Sequence, residues 1–214
     1  MQHDVGLVIT GGYAPSVPVC IATERRCLIV AADSGLEHAA RWGIVPHAIV
    51  GDMDSLTDLS LIQNYTDSVV ERYDTAKDKT DTEIALDFVW KRGVNRVTIV
   101  GGGGGRLDHL IGILSIFERD RYPTRWITDR DEVIVLDSTH TFACARGEVV
   151  SFFPVGRQRC TMRTEGLRWP LDELVWERGD VGVSNECMAE SCRVEMSSGR
   201  LLMVRALRSP VSVP

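Results

Sequence analysis

The first 125 residues alternate short, apolar, β-branched runs with stretches of helical periodicity, and this alternation restricts the fold more than any other feature of the chain. The apolar runs are residues 5–9, 27–31, 48–50 and 97–100, with a weaker run at 69–70. The helical stretches are residues 36–42, residues 84–91 and a segment with Leu107, Leu110, Ile111 and Leu114 on one face. Short apolar runs are typical of parallel strands that are buried on both faces. The pattern predicts an α/β domain with a Rossmann-like parallel sheet and helices on both sides.

The second part of the chain has a different pattern, because its segments are short, are separated by Pro or Gly, and include no long helix. The strand-like segments are residues 132–136, 148–153, 181–184, 192–196 and 201–204. Such segments predict a small antiparallel β-sandwich. We therefore expect an α/β domain at residues 1–140 and a β-sandwich domain at residues 141–214.

Charge and composition exclude several classes of partner. The net charge is −6 and the pI is about 5.4, and no run is rich in Lys or Arg, so neither nucleic acid nor an anionic membrane is expected as a partner. No stretch approaches the roughly 20 apolar residues that cross a bilayer. The first residues also lack the basic and apolar regions of a secretory signal, so we expect a cytoplasmic protein.

Six cysteines are present, at positions 20, 27, 144, 160, 187 and 192. They form no CxxC pair and have no partnered histidine spacing, so the sequence indicates neither a zinc knuckle nor a thioredoxin-like site. Several lie among apolar neighbours, which favours reduced, partly buried cysteines that fill space in a core. Disulfides are not expected without a secreted context.

Five consecutive glycines, Gly101 to Gly105, lie between the run at 97–100 and the helical segment that begins near Leu107. A flexible linker is not expected in so tight a connection, whereas a phosphate-binding loop belongs there. Without Cβ atoms the backbone amides can approach phosphate oxygens closely, and the helix N-terminus adds its dipole. Arg106 can make charge-assisted contacts to the same phosphate. The run therefore predicts a phosphate cradle.

Acidic residues follow the predicted strands, where ligands bind in open α/β sheets. Asp33 and Ser34 follow one strand, Asp52 and Asp54 follow the next, and Asp81 precedes a helix. Asp52 and Asp54 are two residues apart, so on an extended chain both would project to one side and reach one ion. Asp81 alone could be a helix cap, but with the other two it predicts a site for Mg²⁺, which prefers oxygen ligands.

Further groups accompany these acids. Lys79 and Thr80 place a cation and a hydroxyl beside Asp81. Asp108 and His109 lie at the start of the helix after the glycines, and we interpret them as nucleotide contacts rather than as a metal site or a general base. The motifs GxxxxGK[ST] and GxGxxG are absent, which excludes a Walker-type ATPase and an ordinary dinucleotide dehydrogenase. The chain is expected to bind a nucleoside triphosphate.

Four strings carry a resemblance to a known family. They are Ala-Ala-Asp-Ser-Gly at 31–35, Gly-Asp-Met-Asp-Ser at 51–55, Lys-Thr-Asp at 79–81, and five glycines followed by Arg-Leu-Asp-His at 101–109. In this order they resemble the thiamine pyrophosphokinase family. Thr-Glu-Gly-Leu-Arg-Trp-Pro-Leu at 164–171 and Gly-Val-Ser-Asn at 182–185 look like the thiamine-side strings of that family. The resemblance therefore covers nearly the whole chain.

The resemblance implies roles for particular residues. It implies that Asp52, Asp54 and Asp81 are Mg²⁺ ligands, and that Asp54, Asp81, Lys79 and Arg106 are catalytic. The expected nucleotide contacts are Asp33, Ser34, Thr80, Gly102, Gly103, Gly104, Gly105, Asp108 and His109. The expected thiamine contacts are Trp169, Ser184 and Asn185. An aromatic face such as that of Trp169 can stack on a pyrimidine or attract a thiazolium cation.

The implied reaction transfers the terminal pyrophosphoryl group of ATP to the hydroxyl of thiamine, giving thiamine diphosphate and AMP. The family is described as a homodimer that binds thiamine between the catalytic domain of one subunit and the β domain of the other. Three alternatives stay open: a pyrophosphokinase of another hydroxymethyl heterocycle such as a pterin, a Mg²⁺-dependent phosphoesterase, and a nucleotide-binding module without turnover. Fold alone cannot choose among them.

Overall fold

The chain forms two compact units in a computed structural model that describes residues 3–17, 20–21, 26–74, 76, 78–208 and 211–213. The first unit comprises Met1–Ile116, Pro123–Arg130 and Leu207–Pro214, and the second comprises Phe117–Tyr122 and Asp131–Ala206. This division differs from the predicted boundary after residue 140. The strand that begins at Asp131 already belongs to the second unit, and the chain end from Leu207 belongs to the first.

The first unit contains most of the helices and the parallel strands. Its elements are β1 Val5–Ile9, β2 Cys20–Ile21, β3 Cys27–Ala32, α1 Gly35–Arg41, β4 Ala48–Gly51, a 3₁₀ helix Leu59–Asn64, β5 Val69–Arg72, α2 Asp81–Lys91, β6 Arg96–Val100, α3 Leu107–Ile116 and β7 Arg125–Ile127. The second unit contains β8 Asp131–Leu136, β9 Thr139–Ala143, β10 Val149–Val155, β11 Cys160–Glu165, β12 Val175–Trp176, β13 Gly182–Glu186, β14 Ser191–Ser198 and β15 Arg200–Ala206. The last strand, β16 Ser212–Val213, pairs in parallel with β2.

The strands of the first unit form a parallel sheet in the order β7-β6-β1-β3-β4-β5. Leu7 in β1 lies opposite Ile29 in β3 and Thr98 in β6. The chain moves outward from β1 through β3 and β4 to β5, and then returns to the other side of β1 to form β6. The strand order therefore reverses between β1 and β6, and a ligand crevice is expected at the carboxyl ends of these strands.

Burial explains why the central strands are apolar throughout. Every residue of β1 and β3 is buried, and β6 is buried apart from its first residue. Helix α2 buries Ile84, Ala85, Phe88 and Val89, the residues whose spacing predicted it. It begins with a capping box, in which Thr80 and Glu83 satisfy each other's backbone amides. The predicted α/β class is confirmed.

Helix α3 does not bury the apolar face that its sequence shows, although an amphipathic helix that covers its sheet would do so. Ile113 and Ile116 are its buried residues. Leu107, Ile111 and Leu114, which form the apolar face seen in the sequence, are 68%, 54% and 42% exposed. Sequence periodicity identified the helix. It could not indicate that the face with Ile113 and Ile116 would be buried within the chain, while the face with Leu107, Ile111 and Leu114 would stay exposed.

The second unit is an antiparallel β-sandwich, as predicted. One sheet contains β13, β10, β15 and β8 in that order, and the other contains β12, β11, β14 and β9. Residues from both sheets, including Phe152, Met203, Met162 and Val194, share one buried cluster. A shared apolar core between two antiparallel sheets is the arrangement expected of a sandwich.

Two further expectations concern cysteines and membranes. The cysteines with described side chains, at positions 27, 144, 160, 187 and 192, are buried, as the sequence predicted for several of them, and are free thiols. Within the described residues, no helix has the length and apolar character needed to cross a bilayer.

Candidate active site

Three carboxylates converge at one edge of the parallel sheet, and we call this group the acidic cluster. Asp33 follows β3, Asp52 follows β4, and Asp81 is the first residue of α2. One carboxylate oxygen of each residue lies within 4.8 Å of the other two. The sheet causes the convergence, because β3 and β4 are adjacent and parallel and their carboxyl ends share an edge.

The local backbone allows these carboxylates to approach one another. Gly51 has a φ of 139°, and a Cβ atom at this position would lie only 2.9 Å from Asp81 Oδ1 and 3.2 Å from the Cβ of Asp33. Asp33 has a φ of 47°, which is uncommon for a residue other than glycine. Its amide donates to the carbonyl oxygen of Val50 at 2.9 Å, which fixes this conformation. Backbone strain of this kind concentrates at functional sites.

Asp33 is in an unfavourable environment for a lone negative charge. Asp33 is only 7% exposed to solvent. Burial raises the pKa of Asp33, hydrogen bonds from Ser55 and from the backbone of Ser34 oppose this, and the charges of Asp81 and Asp52 raise it further. Among the described residues, Asp33 Oδ1 has no hydrogen-bond partner. A buried carboxylate oxygen without a partner, next to two more carboxylates, fits a hard divalent cation such as Mg²⁺.

Asp54 is placed differently from Asp52. Met53, which separates them, has a φ of 65° and is almost completely buried, so the chain turns at this point. The expectation that an extended chain projects Asp52 and Asp54 to the same side is therefore wrong. Asp54 is exposed, accepts a hydrogen bond from Ser55 Oγ at 3.0 Å, and is not a member of the acidic cluster formed by the described residues. Its role as a metal ligand stays a prediction.

The acidic cluster borders a cleft of about 570 Å³ in the first unit, a volume typical of small-molecule sites. All nine predicted nucleotide contacts line this cleft, namely Asp33, Ser34, Thr80, Gly102, Gly103, Gly104, Gly105, Asp108 and His109, and so do the predicted catalytic residues Asp81 and Arg106. Gly11, Gly12 and Tyr13, which follow β1, line it as well. The cleft therefore lies where the strand order reverses, as the parallel sheet predicts.

The glycine run has a conformation that side chains would prevent. Gly101, Gly102, Gly104 and Gly105 have positive φ angles. A Cβ atom on Gly101 would lie 2.2 Å from the carbonyl oxygen of Thr10, so β1 and the loop touch through their backbones. This contact requires glycine, and it brings the loop against the end of the central strand.

The first amides of the run are occupied by the protein. The amides of Gly101, Gly102 and Gly103 donate to the carbonyl oxygens of Ile127, Gly11 and Tyr13 at 2.9, 2.6 and 2.9 Å. These bonds fix the loop, but they also take those amides away from a bound phosphate. The amides that can face an anion are therefore those of Gly104 and Gly105 and those in the first turn of α3.

Arg106 and Asp108 form an exposed ion pair at the start of α3. The guanidinium donates to the carboxylate through Nε at 3.1 Å and through Nη2 at 2.5 Å. This contact lowers the pKa of Asp108 to about 2. A phosphate in the cleft would compete with Asp108 for the guanidinium of Arg106. His109, beside them, is exposed to the cleft.

Lys79 and Thr80 are engaged with α2. Lys79 Nζ contacts Asp87 Oδ2 at 2.5 Å, and Lys79 is not among the described residues that line the cleft. The Thr80 hydroxyl lies 2.9 Å from Glu83 Oε2 in the capping box, although Thr80 does border the cleft. Lys79, which was predicted to lie beside the metal, thus forms an ion pair with Asp87 of α2.

The predicted thiamine contacts lie in the second unit and differ in what they can do. Trp169 is 54% exposed, and the Arg168 guanidinium lies 5.0 Å from the centre of its ring. Asn185 is buried, and its side chain bonds Trp169 twice: Nδ2 donates to the Trp169 carbonyl oxygen at 2.7 Å, and Oδ1 accepts from the Trp169 amide at 3.2 Å. Asn185 thus positions Trp169, whose ring is the exposed group.

Ser184 lies in a β-bulge. Strand β13 pairs Asn185 with Val150 and Gly182 with Phe152, so β13 has one residue more than β10 in this interval. Ser184 has a φ of 62°, and its amide donates to Ser151 Oγ at 3.1 Å. Bulges reorient side chains and are frequent beside functional sites.

Sequence reasoning missed two features of the cleft. It treated Asp33 as a nucleotide contact, and the signal that could have placed it with Asp52 is its position directly after the adjacent strand. It also missed His38, whose Nε2 lies 2.8 Å from the carbonyl oxygen of Gly12 and whose ring stacks on Trp42. Burial lowers the pKa of His38. Only the folded chain brings His38 to the loop after β1.

A parallel α/β unit with a glycine loop and an acidic cluster at its strand ends, in one chain with a β-sandwich, defines a class of phosphate-handling α/β proteins. Two family models match this chain: "Thiamin pyrophosphokinase, catalytic domain" at residues 21–125 and "Thiamin pyrophosphokinase, vitamin B1 binding domain" at residues 135–201. The chain therefore belongs to the thiamine pyrophosphokinase family, a family of ATP-using enzymes.

Individual relatives agree with this assignment. Thiamine pyrophosphokinase of Bacillus subtilis (strain 168) is 24% identical over 208 residues, which cover 93% of this chain and 97% of that protein. The crystal structure of thiamine pyrophosphokinase from Bacillus subtilis is similar with a TM-score of 0.78 at 21% identity, over 96% of this chain and all of that one. The corresponding structure from Geobacillus thermodenitrificans has a TM-score of 0.73 at 27% identity, over 97% and 99% of the two chains.

The acidic cluster leads to a prediction about Asp33→Asn. Because burial and the neighbouring charges raise the pKa of Asp33, the cation-free protein gains stability as the pH falls through the window between the ordinary aspartate pKa and the raised one. The variant should lack this gain, unfold at a higher temperature than the wild type at neutral pH in a chelator, and bind Mg²⁺ about tenfold more weakly or worse. Thermal unfolding across pH and calorimetric Mg²⁺ titration measure both effects.

The matched control is Asp67→Asn, which removes the same charge from an exposed turn of the first unit. It should change neither Mg²⁺ affinity nor the pH dependence of unfolding. An Asp33→Asn variant with wild-type stability and wild-type Mg²⁺ affinity would remove Asp33 from the proposed cation site.

Proposed function

We propose that this chain transfers the pyrophosphoryl group of ATP to the hydroxyl of thiamine, giving thiamine diphosphate and AMP, and that it requires Mg²⁺. The observation that carries the proposal is the acidic cluster beside the glycine-lined cleft. Family membership supports the choice of substrates. It also favours thiamine over the pterin-type acceptor, the phosphoesterase and the binding module that the sequence left open.

The acidic cluster is the proposed holder of the cation. Asp33, Asp52 and Asp81 supply the oxygen ligands that Mg²⁺ prefers, and Asp54 is a further candidate ligand at the exposed side of the same turn. When bound, Mg²⁺ would neutralise charge on the phosphate oxygens of ATP. The carboxylates themselves fix where that charge is neutralised, because their positions are set by the ends of β3 and β4 and by the start of α2.

The glycine run and the start of α3 are proposed to hold the phosphates of ATP. The amides of Gly104 and Gly105 and the first turn of α3 can donate to phosphate oxygens, and the helix dipole favours an anion at this position. When ATP binds, the guanidinium of Arg106 is proposed to release Asp108 and to contact a phosphate group in its place. Catalysis of phosphoryl-type transfer consists mainly of alignment and of charge neutralisation, and these residues can contribute both.

Trp169 is proposed to hold thiamine through its exposed ring. Asn185 bonds both backbone groups of Trp169, so the backbone that carries the ring is already ordered before a ligand binds. An aromatic face attracts a cation such as thiazolium and stacks on a pyrimidine. Ser184, next to Asn185 in the bulge, is the proposed polar contact.

We propose that the exposed apolar face of α3 is the interface of a homodimer. Leu107, Ile111 and Leu114 recur one helical turn apart and are all exposed in the single chain. A contiguous apolar stripe of this kind is more typical of an interface than of a surface exposed to water. The occupant that we propose is the same face of a second copy of the chain.

The reaction predicts that AMP forms only when thiamine, ATP and Mg²⁺ are all present. Asp81→Ala should reduce the turnover number by roughly 100-fold or more, because it removes a charge from the cation site. Asp67→Ala, which removes a charge from an exposed turn, should retain wild-type turnover. A coupled assay for AMP with and without thiamine measures this, and a circular dichroism melt checks folding. Inorganic phosphate released without thiamine would contradict the proposal.

The thiamine site predicts separate effects on the two substrates. Trp169→Ala should raise the KM for thiamine by about 3- to 30-fold, which corresponds to the loss of one aromatic or cation–π contact, and leave the KM for ATP unchanged. Trp169→Phe should restore most of the affinity, because it keeps an aromatic face. Equal KM values for thiamine in all three proteins would place thiamine elsewhere.

The dimer proposal predicts the effect of a charge on α3. Wild-type protein should sediment as a dimer, and Ile111→Glu should shift it towards the monomer, because the charge would be buried at the interface. Val45→Glu is the control, since Val45 is 62% exposed in the first unit and belongs to the connection between α1 and β4 instead of to α3. A dimer unaffected by Ile111→Glu would exclude this face as the interface.

A further inference from the structure

Cys144 meets Cys187 and Cys192, which follow it far along the sequence, in the core of the second unit, and we call these three residues the thiol cluster. Their three Sγ atoms all lie within 4.8 Å of one another. Sγ of Cys144 and Sγ of Cys192 are 3.4 Å apart. The three residues are 7%, 0% and 1% exposed, and none forms a disulfide bond.

Backbone hydrogen bonds hold the three positions independently of the thiols. Cys144 directly follows β9, and its amide donates to the carbonyl oxygen of Glu190 at 2.9 Å. Cys192 lies in β14 opposite Phe142 of β9. Cys187 directly follows β13, and its amide donates to the carbonyl oxygen of Glu148 at 2.9 Å. The strand pairing therefore fixes where the sulfur atoms lie, and the cluster is preorganised.

The sulfur atoms are close enough to bind a single metal ion after a small adjustment, since one pair is 3.4 Å apart and the other pairs lie within 4.8 Å. Metal–sulfur bonds of ~2.3 Å place the sulfur atoms ~3.8 Å apart in a tetrahedral site and ~4.0 Å apart in a trigonal one. Thiolates are soft ligands and select soft metals such as Cu⁺ and Zn²⁺. In the described chain, no imidazole and no carboxylate completes this group to four ligands. A structural Zn²⁺ site almost always has four.

We propose that Cys144, Cys187 and Cys192 form a three-coordinate, all-sulfur site for a soft metal ion, with Cu⁺ as the ion that fits it best. Binding would replace thiol protons, which leave to the solvent, and would join the ends of β9, β13 and β14 through one ion. The site lies in the second unit and is independent of the proposed transfer reaction.

The competing explanation is that the thiols only fill space. The thiols of Cys144 and Cys192 donate to the carbonyl oxygens of Ala189 and Gly166, each at 3.2 Å, so the metal-free cluster is already hydrogen-bonded. Burial raises the pKa of Cys187 and raises that of Cys192 to about 11, which favours the thiol form of these two residues. Hydrogen-bonded thiols can fill this core without a metal, and a binding measurement separates the two explanations.

Cys160 provides a matched control in the same unit. It is also fully buried and unbridged, but its thiol donates to the carbonyl oxygen of Arg200 and it is not a member of the cluster. Reduced, full-length protein is titrated anaerobically with Cu⁺ against a chromophoric Cu⁺ chelator. Wild type and Cys160→Ser should each bind one Cu⁺ tightly and melt at a higher temperature with it. Cys187→Ser should bind at least about 100-fold more weakly and show no such increase.

X-ray absorption of the Cu⁺-loaded wild type tests the ligands without any substitution, so a variant that fails to fold cannot obscure the result. Three sulfur neighbours at ~2.3 Å and no nitrogen or oxygen neighbour are expected. The proposal would be overturned by a fourth ligand, by a nitrogen or oxygen ligand, or by equal Cu⁺ affinity in Cys187→Ser and the wild type. A negative result here would not count against the proposed transfer reaction, because the AMP assay tests the cleft and the Cu⁺ titration tests the thiol cluster.

Discussion

The repulsion among Asp33, Asp52 and Asp81 is the interaction on which the site depends. Like charges at this distance destabilise a fold unless a cation or a proton compensates them. The chain nevertheless holds them together, through a parallel strand pair, a strained backbone at Asp33 and the absence of a side chain at Gly51. Such an arrangement persists where surrounding structure enforces it. The parallel sheet is therefore the scaffold of the chemistry as well as the core of the first unit.

The second unit uses a different means of presenting a group to a ligand. Here one buried amide side chain, that of Asn185, satisfies both backbone groups of Trp169, and the indole remains exposed. The adjacent bulge at Ser184 exists because β13 has one residue more than its partner strand. A backbone held in one conformation reduces the entropy that this segment loses on binding. In both units, strand geometry fixes the groups that are proposed to act.

Most of the architecture could be predicted from the sequence, because it depends on local periodicity. The buried strands β1, β3, β4 and β6 and the capped helix α2 followed from apolar runs and capping residues. Three details of the site did not follow, because apolar periodicity specifies neither a single backbone torsion nor the partner of a polar group. Met53 turns the acidic segment, the amides of Gly101 to Gly103 bind the carbonyl oxygens of Ile127, Gly11 and Tyr13, and Lys79 forms an ion pair with Asp87. Only the folded chain shows these partners.

The sequence by itself determined the fold class and the family, because apolar periodicity and short ordered strings are properties of neighbouring residues. Only the tertiary structure decided which carboxylates meet, which face of α3 stays exposed, and that three cysteines share one core position. The physical reason is strand pairing. The register between β9 and β14 brings residues 144 and 192 together, and the bond from the Cys187 amide to Glu148 holds the segment after β13 beside them. No spacing along the chain specifies these pairings in advance.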